Sequence, residues 1–237
     1  MRPGVAVVTG AARGIGRSIA ERLGNDGNLM ILVDLSPSLA DTALALEMSG
    51  ANVVAVEADL TSDEGIGSVV DEVETAGGLD ILVNNAGITR DARLVNMTDE
   101  DFTAVLDVNL GAPYRLTRAL QPHLNEEAAV VNIASRAYLG NFGQFNYSMS
   151  KGALVGMTRA LALELAPGAR VNAVAPGLIG TEMAMGIPAD VRAKMVAAIP
   201  LGRMGEPSEV ADVVSFLAQA GYVTGEVIVV GGGRSLS

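Results

Sequence analysis

A tyrosine and a lysine four residues apart are the most informative side chains of this sequence. Tyr147 and Lys151 stand in the run Asn-Tyr-Ser-Met-Ser-Lys, and residues at i and i+4 share one face of a helix. A free tyrosine has a pKa near ~10 and is a poor base at neutral pH. An ammonium close to the phenol favours the phenolate and lowers that pKa. The pair is therefore predicted to exchange a proton near neutral pH, which suits the interconversion of an alcohol and a ketone.

The elements that would position this pair follow a regular alternation. Short apolar runs rich in Val, Ile, Leu and Ala predict buried strands at Val5–Thr9, Leu29–Asp34, Val53–Glu57, Ile81–Asn84, Val130–Ile133, Val171–Ala175 and Val227–Val230. Such continuous runs are typical of a parallel sheet that is covered on both faces. Helices are predicted between them, including Ile15–Leu23, Leu39–Met48, Gly65–Thr75 and Ser148–Leu165. The alternation predicts an α/β fold, a doubly wound (Rossmann) seven-stranded parallel sheet flanked by helices, in one domain over residues 1–237.

Composition excludes several classes of function. The formal net charge of −11 disfavours nucleic acid and anionic membrane surfaces, which both attract Lys and Arg. The absence of cysteine excludes disulfides and thiolate metal sites. The first apolar run is too short for a signal peptide or a membrane span. We therefore expect a soluble cytoplasmic protein with no metal, and His123 is interpreted as a surface histidine.

A glycine-rich turn follows the first predicted strand and opens a helix. It reads Thr-Gly-Ala-Ala-Arg-Gly-Ile-Gly over residues 9–16, so its spacing is G-x-x-x-G-x-G and not the common G-x-G-x-x-G. Glycines permit a tight turn and a close backbone approach, and a helix N-terminus attracts pyrophosphate. The second strand ends in an acid, Asp34, near the offset of ~20 residues at which a carboxylate binds the adenosine ribose. This context predicts dinucleotide binding.

Two charged residues bear on the choice of cofactor. The Asp34 carboxylate can accept hydrogen bonds from both ribose hydroxyls and would repel a 2′-phosphate. Arg13 acts in the opposite direction, because a guanidinium in the glycine loop can pair with that phosphate. We expect NAD, with NADP less favoured, since the arginine can swing into solvent. Asp59, after the third strand, is placed either to accept from the adenine amino group or to form a strand-end turn.

Further motifs occur in an order that resembles the short-chain dehydrogenase/reductase family over essentially the whole chain. They are Thr9–Gly16, Asp59-Leu60, Asn84-Asn85-Ala86-Gly87, Asn109, Ser135, Tyr147-x3-Lys151, Pro176-Gly177 with Thr181, Ile199–Arg203 and Val223–Gly225. The resemblance implies a homotetramer, which assembles through the helix that carries Tyr147 and through the C-terminal strand region.

The resemblance also implies roles for individual residues. Tyr147 would be the general acid/base, and Lys151 would lower its pKa and bind the nicotinamide ribose. Ser135 would polarise the substrate oxygen, and Asn109 would keep a helix locally irregular and anchor a water next to Lys151. The implied cofactor contacts are Gly10, Arg13, Gly14, Ile15, Gly16, Asp34, Asp59, Leu60, Asn85, Ala86, Gly87, Tyr147, Lys151, Pro176, Gly177, Ile179 and Thr181.

The sequence departs from the family pattern at two places. The separation of Ser135 and Tyr147 is one residue shorter than is commonest, which affects the wall of the substrate pocket. Gly231 stands where the family usually has Asp, which affects local packing and assembly. Candidate pocket residues, each of which could equally be a core or interface residue, are Tyr138, Phe142, Met183 and Met185.

The sequence leaves the substrate open. Asn84–Asp91 and Pro200–Arg203 resemble the 3-oxoacyl reductase branch, which suggests an NADPH-dependent reductase of a 3-oxoacyl thioester. The stretch His123–Glu127 is acidic where that branch is usually basic, so steering of an acidic carrier protein would be unfavourable. The sequence-based expectation is therefore an NAD-dependent dehydrogenase of a small, mostly apolar secondary alcohol. A non-catalytic dinucleotide-binding protein is the third alternative.

Overall fold

The structure is a computed structural model that describes residues 4–236, apart from the side chain of Met183. Its strands are β1 (Val5–Thr9), β2 (Leu29–Asp34), β3 (Val53–Glu57), β4 (Leu79–Asn84), β5 (Leu124–Ile133), β6 (Ala169–Pro176) and β7 (Val227–Val230). They form one sheet in the order β3-β2-β1-β4-β5-β6-β7, and every neighbouring pair is parallel. The predicted seven-stranded doubly wound fold is confirmed.

The helices alternate with the strands as predicted. They are α1 (Gly14–Asn25), α2 (Leu39–Met48), α3 (Asp63–Ala76), α4 (Asp99–Leu106), α5 (Ala112–Leu120), α6 (Phe145–Glu164), α7 (Glu182–Met185), α8 (Ala189–Ala197) and α9 (Pro207–Gln219). A π-helical turn, Asp107–Gly111, joins α4 to α5, and short 3-10 turns cover Leu94–Asn96, Gln121–His123, Arg136–Leu139 and Arg234–Leu236.

The apolar core lies on both faces of the sheet, because successive side chains of a strand point to opposite sides. On β1, Ala6 and Val8 pack with α1, α2 and α9, whereas Val7 packs with α3 and α5. This covering on both faces explains why the strands are continuously apolar and do not alternate with polar residues.

The predicted boundaries of β4 and β6 differ from the structure by one or two residues, and the largest error is at the start of β5. β5 begins at Leu124 and not at Val130, because Leu124 pairs with Leu79 of β4 although polar residues follow it. Exposed Asn125, Glu126 and Glu127 carry no apolar pattern, so sequence periodicity could not detect this part of the strand. Within residues 4–236, no helix has the length and the hydropathy that a membrane crossing requires.

The strand order reverses between β1 and β4, and this point positions the candidate site. From β1 the chain builds outward through β2 and β3, and from β4 it builds in the other direction. Open α/β sheets bind their ligands in the crevice at the carboxyl ends of the strands where the order reverses.

Candidate active site

The predicted site residues follow the carboxyl ends of the strands around this crevice. The glycine turn leaves β1 after Thr9, the Asn85–Gly87 segment leaves β4, and Ser135 comes two residues after β5. Pro176 ends β6, and Gly177 follows it. The fold therefore brings segments that are far apart in sequence to one edge of the sheet.

The glycine turn is built for close backbone approach. Gly10 and Gly14 have φ values of 65° and 58°, in the left-handed region that glycine adopts without strain. A Cβ atom on Gly16 would lie 2.0 Å from the carbonyl oxygen of Gly10, so only glycine fits there. Helix α1 begins at Gly14, and its N-cap residue Arg13 provides no side-chain hydrogen bond to the first turn. The first N–H groups of α1, which include that of half-buried Ile15, are thus directed to where a pyrophosphate can bind.

Arg13 forms an ion pair with a residue of the same chain on the other side of the crevice. Its Nη1 lies 3.3 Å from Oε2 of Glu182, and both side chains are largely exposed. Glu182 follows Thr181, whose methyl group would lie 3.6 Å from a Cβ atom on Gly14. The guanidinium is therefore directed towards the segment after β6.

Asp34 and Asp59, the two acids at strand ends, have different hydrogen-bond partners. Asp34 accepts from the backbone N–H of Ala12 at 3.0 Å and from that of Ser36 at 2.9 Å, so its carboxylate lies against the glycine turn. Oδ1 of Asp59 accepts from both the backbone N–H and the hydroxyl of Thr61, and these hydrogen bonds lower the pKa of Asp59. Asp59 therefore takes part in a strand-end turn, with Leu60 buried beside it, and its contact with the adenine amino group stays a prediction.

Hydrogen bonds join the segment after β4 to the glycine turn. The amide of Asn85 donates to the carbonyls of Thr9 at 2.9 Å and Gly10 at 3.1 Å. The backbone N–H groups of Asn85 and Ala86 both bond to the Thr9 hydroxyl. A Cβ atom on Gly87 would lie 3.1 Å from Oδ1 of Asn109, so a side chain at this position would crowd the Asn109 amide.

The π-helical turn between α4 and α5 presents Asn109, as expected of a locally irregular helix. The side chain is fully buried and pairs with the backbone of Ile88 in both directions, at 2.8 and 3.0 Å. Its amide also donates to the hydroxyl of Ser150 at 3.1 Å. Asn109 thus connects the segment after β4 to helix α6.

Lys151 lies beneath Tyr147 on α6. Its Nζ donates to the carbonyl of Ile133 at 2.8 Å and lies 5.8 Å from the centroid of the Tyr147 ring. Because the ammonium is almost completely buried, burial lowers the pKa of Lys151 to about 8. The i, i+4 spacing therefore places the pair on one helix face as predicted.

The pKa of Tyr147 moves in the direction opposite to the sequence-based expectation. Burial raises this pKa, a hydrogen bond with Ser135 opposes the increase, and the charge of Asp91 adds to it. Desolvation disfavours the phenolate, and Lys151 is not among the groups that shift the phenol. Tyr147 is therefore held as a neutral phenol that can donate a proton.

The segment after β6 lies across the crevice from the glycine turn. Gly177 donates its N–H to Val230 at the end of β7, and a Cβ atom on Gly177 would lie 2.8 Å from Cα of Gly231. Ile179 is buried, and the Thr181 hydroxyl accepts from Ala184 at the start of α7. The glycine at position 231 is thus in close contact with this segment.

The candidate pocket residues that the structure describes differ in how far their side chains are exposed. Tyr138 is half-buried near Ser135, whereas Phe142 and Met185 are 86% and 61% exposed, and the side chain of Met183 lies outside the described part of the chain. A cavity of about 530 Å³ adjoins the site. None of the four proposed catalytic residues lines it; its lining includes Leu94, Val95, Phe142, Phe145 and Met149.

Sequence reasoning missed two polar residues beside Tyr147. Asn146 is fully buried and bonds to backbone groups of other elements, and Gln144 donates to Asp91. Their only signal in the sequence was their position next to the tyrosine. Their contacts depend on the tertiary structure.

Comparison with known proteins is consistent with this arrangement. Residues 10–235 match the family model described as enoyl-(acyl carrier protein) reductase. The 3-oxoacyl-[acyl-carrier-protein] reductase FabG of Aquifex aeolicus is 44% identical over 239 residues, which cover 97% of this chain and 96% of that protein. The (2S)-[(R)-hydroxy(phenyl)methyl]succinyl-CoA dehydrogenase subunit BbsD of Thauera aromatica is 39% identical, covering 98% and 96%. A solved blue fluorescent protein from a metagenomic library, in complex with NADPH, is 34% identical with a TM-score of 0.92, covering 98% and 97%.

Proposed function

The chain belongs to the short-chain dehydrogenase/reductase family, and we propose that it reduces 3-oxoacyl thioesters to 3-hydroxyacyl thioesters with a nicotinamide dinucleotide. Family membership makes it an oxidoreductase that acts on CH–OH groups. The observation that carries the substrate proposal is the full-length similarity to relatives named for 3-oxoacyl and hydroxyacyl thioesters. These relatives favour the thioester alternative over the small secondary alcohol that the sequence led us to expect.

The proposed chemistry assigns one task to each polar group of the crevice. The dinucleotide supplies the hydride for the 3-oxo carbon. Tyr147 donates the proton that the carbonyl oxygen takes up, so the C=O bond becomes CH–OH. Ser135, whose hydroxyl lowers the pKa of Tyr147, donates to the same oxygen while charge develops on it.

Lys151 and Asn109 serve Tyr147 in this proposal. The Lys151 ammonium, fixed by the carbonyl of Ile133 and 5.8 Å from the centroid of the Tyr147 ring, would bind the nicotinamide ribose and so hold the cofactor beside Tyr147. Asn109 keeps the segment after β4 against α6 through Ile88 and Ser150. Reprotonation of Tyr147 from solvent completes the cycle.

The residues of the described chain fit a dinucleotide, and Asp34 favours NADH over NADPH. The glycine turn leaves room that a Cβ atom would fill. The Asp34 carboxylate, held against this turn, would repel a 2′-phosphate. Arg13 forms an ion pair with Glu182, so its guanidinium is less available to bind a 2′-phosphate. The structural neighbour in complex with NADPH keeps NADPH as the second candidate.

We propose coenzyme A as the acyl carrier in preference to an acidic carrier protein. The net charge is −11, and Asn125, Glu126 and Glu127 are exposed at the start of β5. Negative surfaces slow the encounter with a negative protein partner. The relative from Thauera aromatica, whose name specifies a CoA thioester, supports the same choice.

One assay tests substrate and cofactor together. Acetoacetyl-CoA, the same acyl group on acyl carrier protein, and simple ketones are each offered with NADH and with NADPH at equal concentration. We expect the highest kcat/KM with acetoacetyl-CoA and NADH. A tenfold preference for NADPH, about 1.4 kcal/mol, would show that the interpretation of Asp34 is wrong, and turnover of simple ketones alone would restore the small-alcohol alternative.

A pair of variants locates the cofactor preference. Asp34→Ser removes the charge beside the glycine turn and should shift the NADPH/NADH ratio of kcat/KM upward by at least tenfold, since the repulsion of the 2′-phosphate is lost. The control Asp41→Asn removes an exposed charge on α2 and should leave the ratio unchanged. Equal ratios in both variants would exclude a ribose contact by Asp34.

A further inference from the structure

Asn146 is the buried residue that immediately precedes Tyr147 on α6. It is fully buried, and its amide group has three hydrogen bonds. Nδ2 donates to the carbonyl of Arg90 at 3.0 Å and to that of Asp101 at 3.2 Å. Oδ1 accepts from the backbone N–H of Tyr147 at 2.8 Å. An asparagine side chain has exactly the two donors and the acceptor that these contacts require.

These bonds connect the first turn of α6 to two other elements. Arg90 lies in the segment after β4, two residues beyond Ile88, to which Asn109 is bonded. Asp101 lies in the first turn of α4. The backbone of Tyr147 is therefore bonded, through one side chain, to the segment that also contacts Asn109.

A second, exposed link joins the same two segments. Gln144, the N-cap residue of α6, donates from Nε2 to Oδ2 of Asp91 at 2.8 Å. The backbones of Gln144 and Ala92 also form a parallel bridge. One link is thus buried and the other faces solvent, and both lie within three residues of Tyr147.

We propose that Asn146, supported by Gln144, is a positioning residue that fixes the Tyr147 hydroxyl relative to the segment after β4 and thereby sets the rate of proton transfer. The proposal rests on the proposed acid/base role of Tyr147. Displacement of a reacting group by about 1 Å can cost about 10²-fold in rate. A side chain that bonds the backbone of the reacting residue itself controls such a displacement directly.

The test compares two buried asparagines that both bond to backbone groups. Asn146→Asp keeps the acceptor for Tyr147 and loses both donors, so a carboxylate faces the carbonyls of Arg90 and Asp101. The control Asn172→Asp alters an equally buried side chain, which bonds to Val223 and Glu226 on the far side of β6. Both variants should lose stability, and only the first should lose turnover.

The readouts separate positioning from a general structural effect. We expect Asn146→Asp to lower kcat at least tenfold, with the dissociation constant and stoichiometry of the dinucleotide within twofold of wild type. The solvent deuterium isotope effect on kcat should increase, because transfer of the exchangeable Tyr147 proton becomes limiting. In Asn172→Asp, kcat and the isotope effect should stay within twofold. Equal losses in both variants, or a loss that only follows the fraction of binding-competent protein, would overturn the proposal.

An exposed variant keeps the proposal testable if Asn146→Asp does not fold. Gln144→Glu places a carboxylate against Asp91 on the surface and should lower kcat several-fold without changing dinucleotide affinity. An unchanged kcat in this variant would refute the proposal. All comparisons use whichever substrate the wild type turns over, so an incorrect substrate class would be recognised from the wild type alone.

Discussion

At the scale of single residues, the environment of Tyr147 favours the neutral phenol over the phenolate. Desolvation raises its pKa, and Lys151, whose pKa burial lowers to about 8, is positioned against the ring and not at the hydroxyl. The i, i+4 spacing was sufficient to predict that the two side chains share a face. It could not predict the direction of the pKa shift, because that depends on how deeply the folded chain buries the phenol.

Replacing the phenol tests the residue-scale assignment. Tyr147→Phe removes the proton donor and should lower kcat by about 10²- to 10⁴-fold, the usual contribution of general acid catalysis, while the dissociation constant of the dinucleotide changes little. Steady-state kinetics and a fluorescence titration measure the two quantities. The control Tyr222→Phe alters a fully exposed tyrosine and should leave kcat unchanged. Substantial turnover by Tyr147→Phe would contradict the assignment of Tyr147 as the proton donor.

At the scale of elements, the helix start at Gly14 and the π-helical turn at Asn109 are what make the site. The glycine spacing predicted the first, since a phosphate-binding turn must lie between a strand and a helix. The second was expected only from the family resemblance, because no propensity distinguishes a π-helical turn within an otherwise helical stretch. The contacts of Asn146 and Gln144 were not predicted, since they join segments about 50 residues apart.

Two glycines inside helices should respond in opposite ways to the same substitution. Gly16→Ala places a methyl group 2.0 Å from the carbonyl oxygen of Gly10, so the turn must shift and dinucleotide affinity should fall at least tenfold. Gly67→Ala, on α3 with no atom within 4 Å of the new methyl group, should stabilise the fold by about 0.5–1 kcal/mol. Titration and urea unfolding measure these effects; wild-type affinity in Gly16→Ala would exclude the glycine turn as the phosphate site.

At the scale of the whole molecule, the surface carries apolar residues where the family resemblance implies assembly. On α6, Phe145, Met149 and Leu163 are exposed, and Val229 is partly exposed on β7, the edge strand of the sheet. An edge strand presents unpaired backbone groups that favour pairing with another chain. The fold class was predictable from the alternation of apolar runs and helical segments, whereas the partner of each exposed face was not, because a single chain does not contain it.

The homotetramer remains a prediction, which the mass of the protein in solution tests directly. Light scattering should give four times the chain mass of 24.3 kDa. Leu163→Glu, which puts a charge on the exposed face of α6, should lower the mass. Met48→Glu, an equally exposed position on α2, should leave it unchanged. A wild-type peak at the mass of one chain would contradict the prediction.

The buried amides at the centre of the sheet have a consequence for alternative structures. Asn84 and Asn132 are aligned on β4 and β5 and bond to each other at 2.9 Å, and Asn132 continues to Thr158 on α6. If β5 slipped by one residue, these amides would lose their partners inside an apolar interior, at a cost of about 1–3 kcal/mol for each unpaired group. The apolar residues on either side would tolerate many alignments. The asparagines keep their hydrogen-bond partners in only one alignment of β4 and β5. That alignment places Ser135 and Tyr147 at the same positions in every folded molecule.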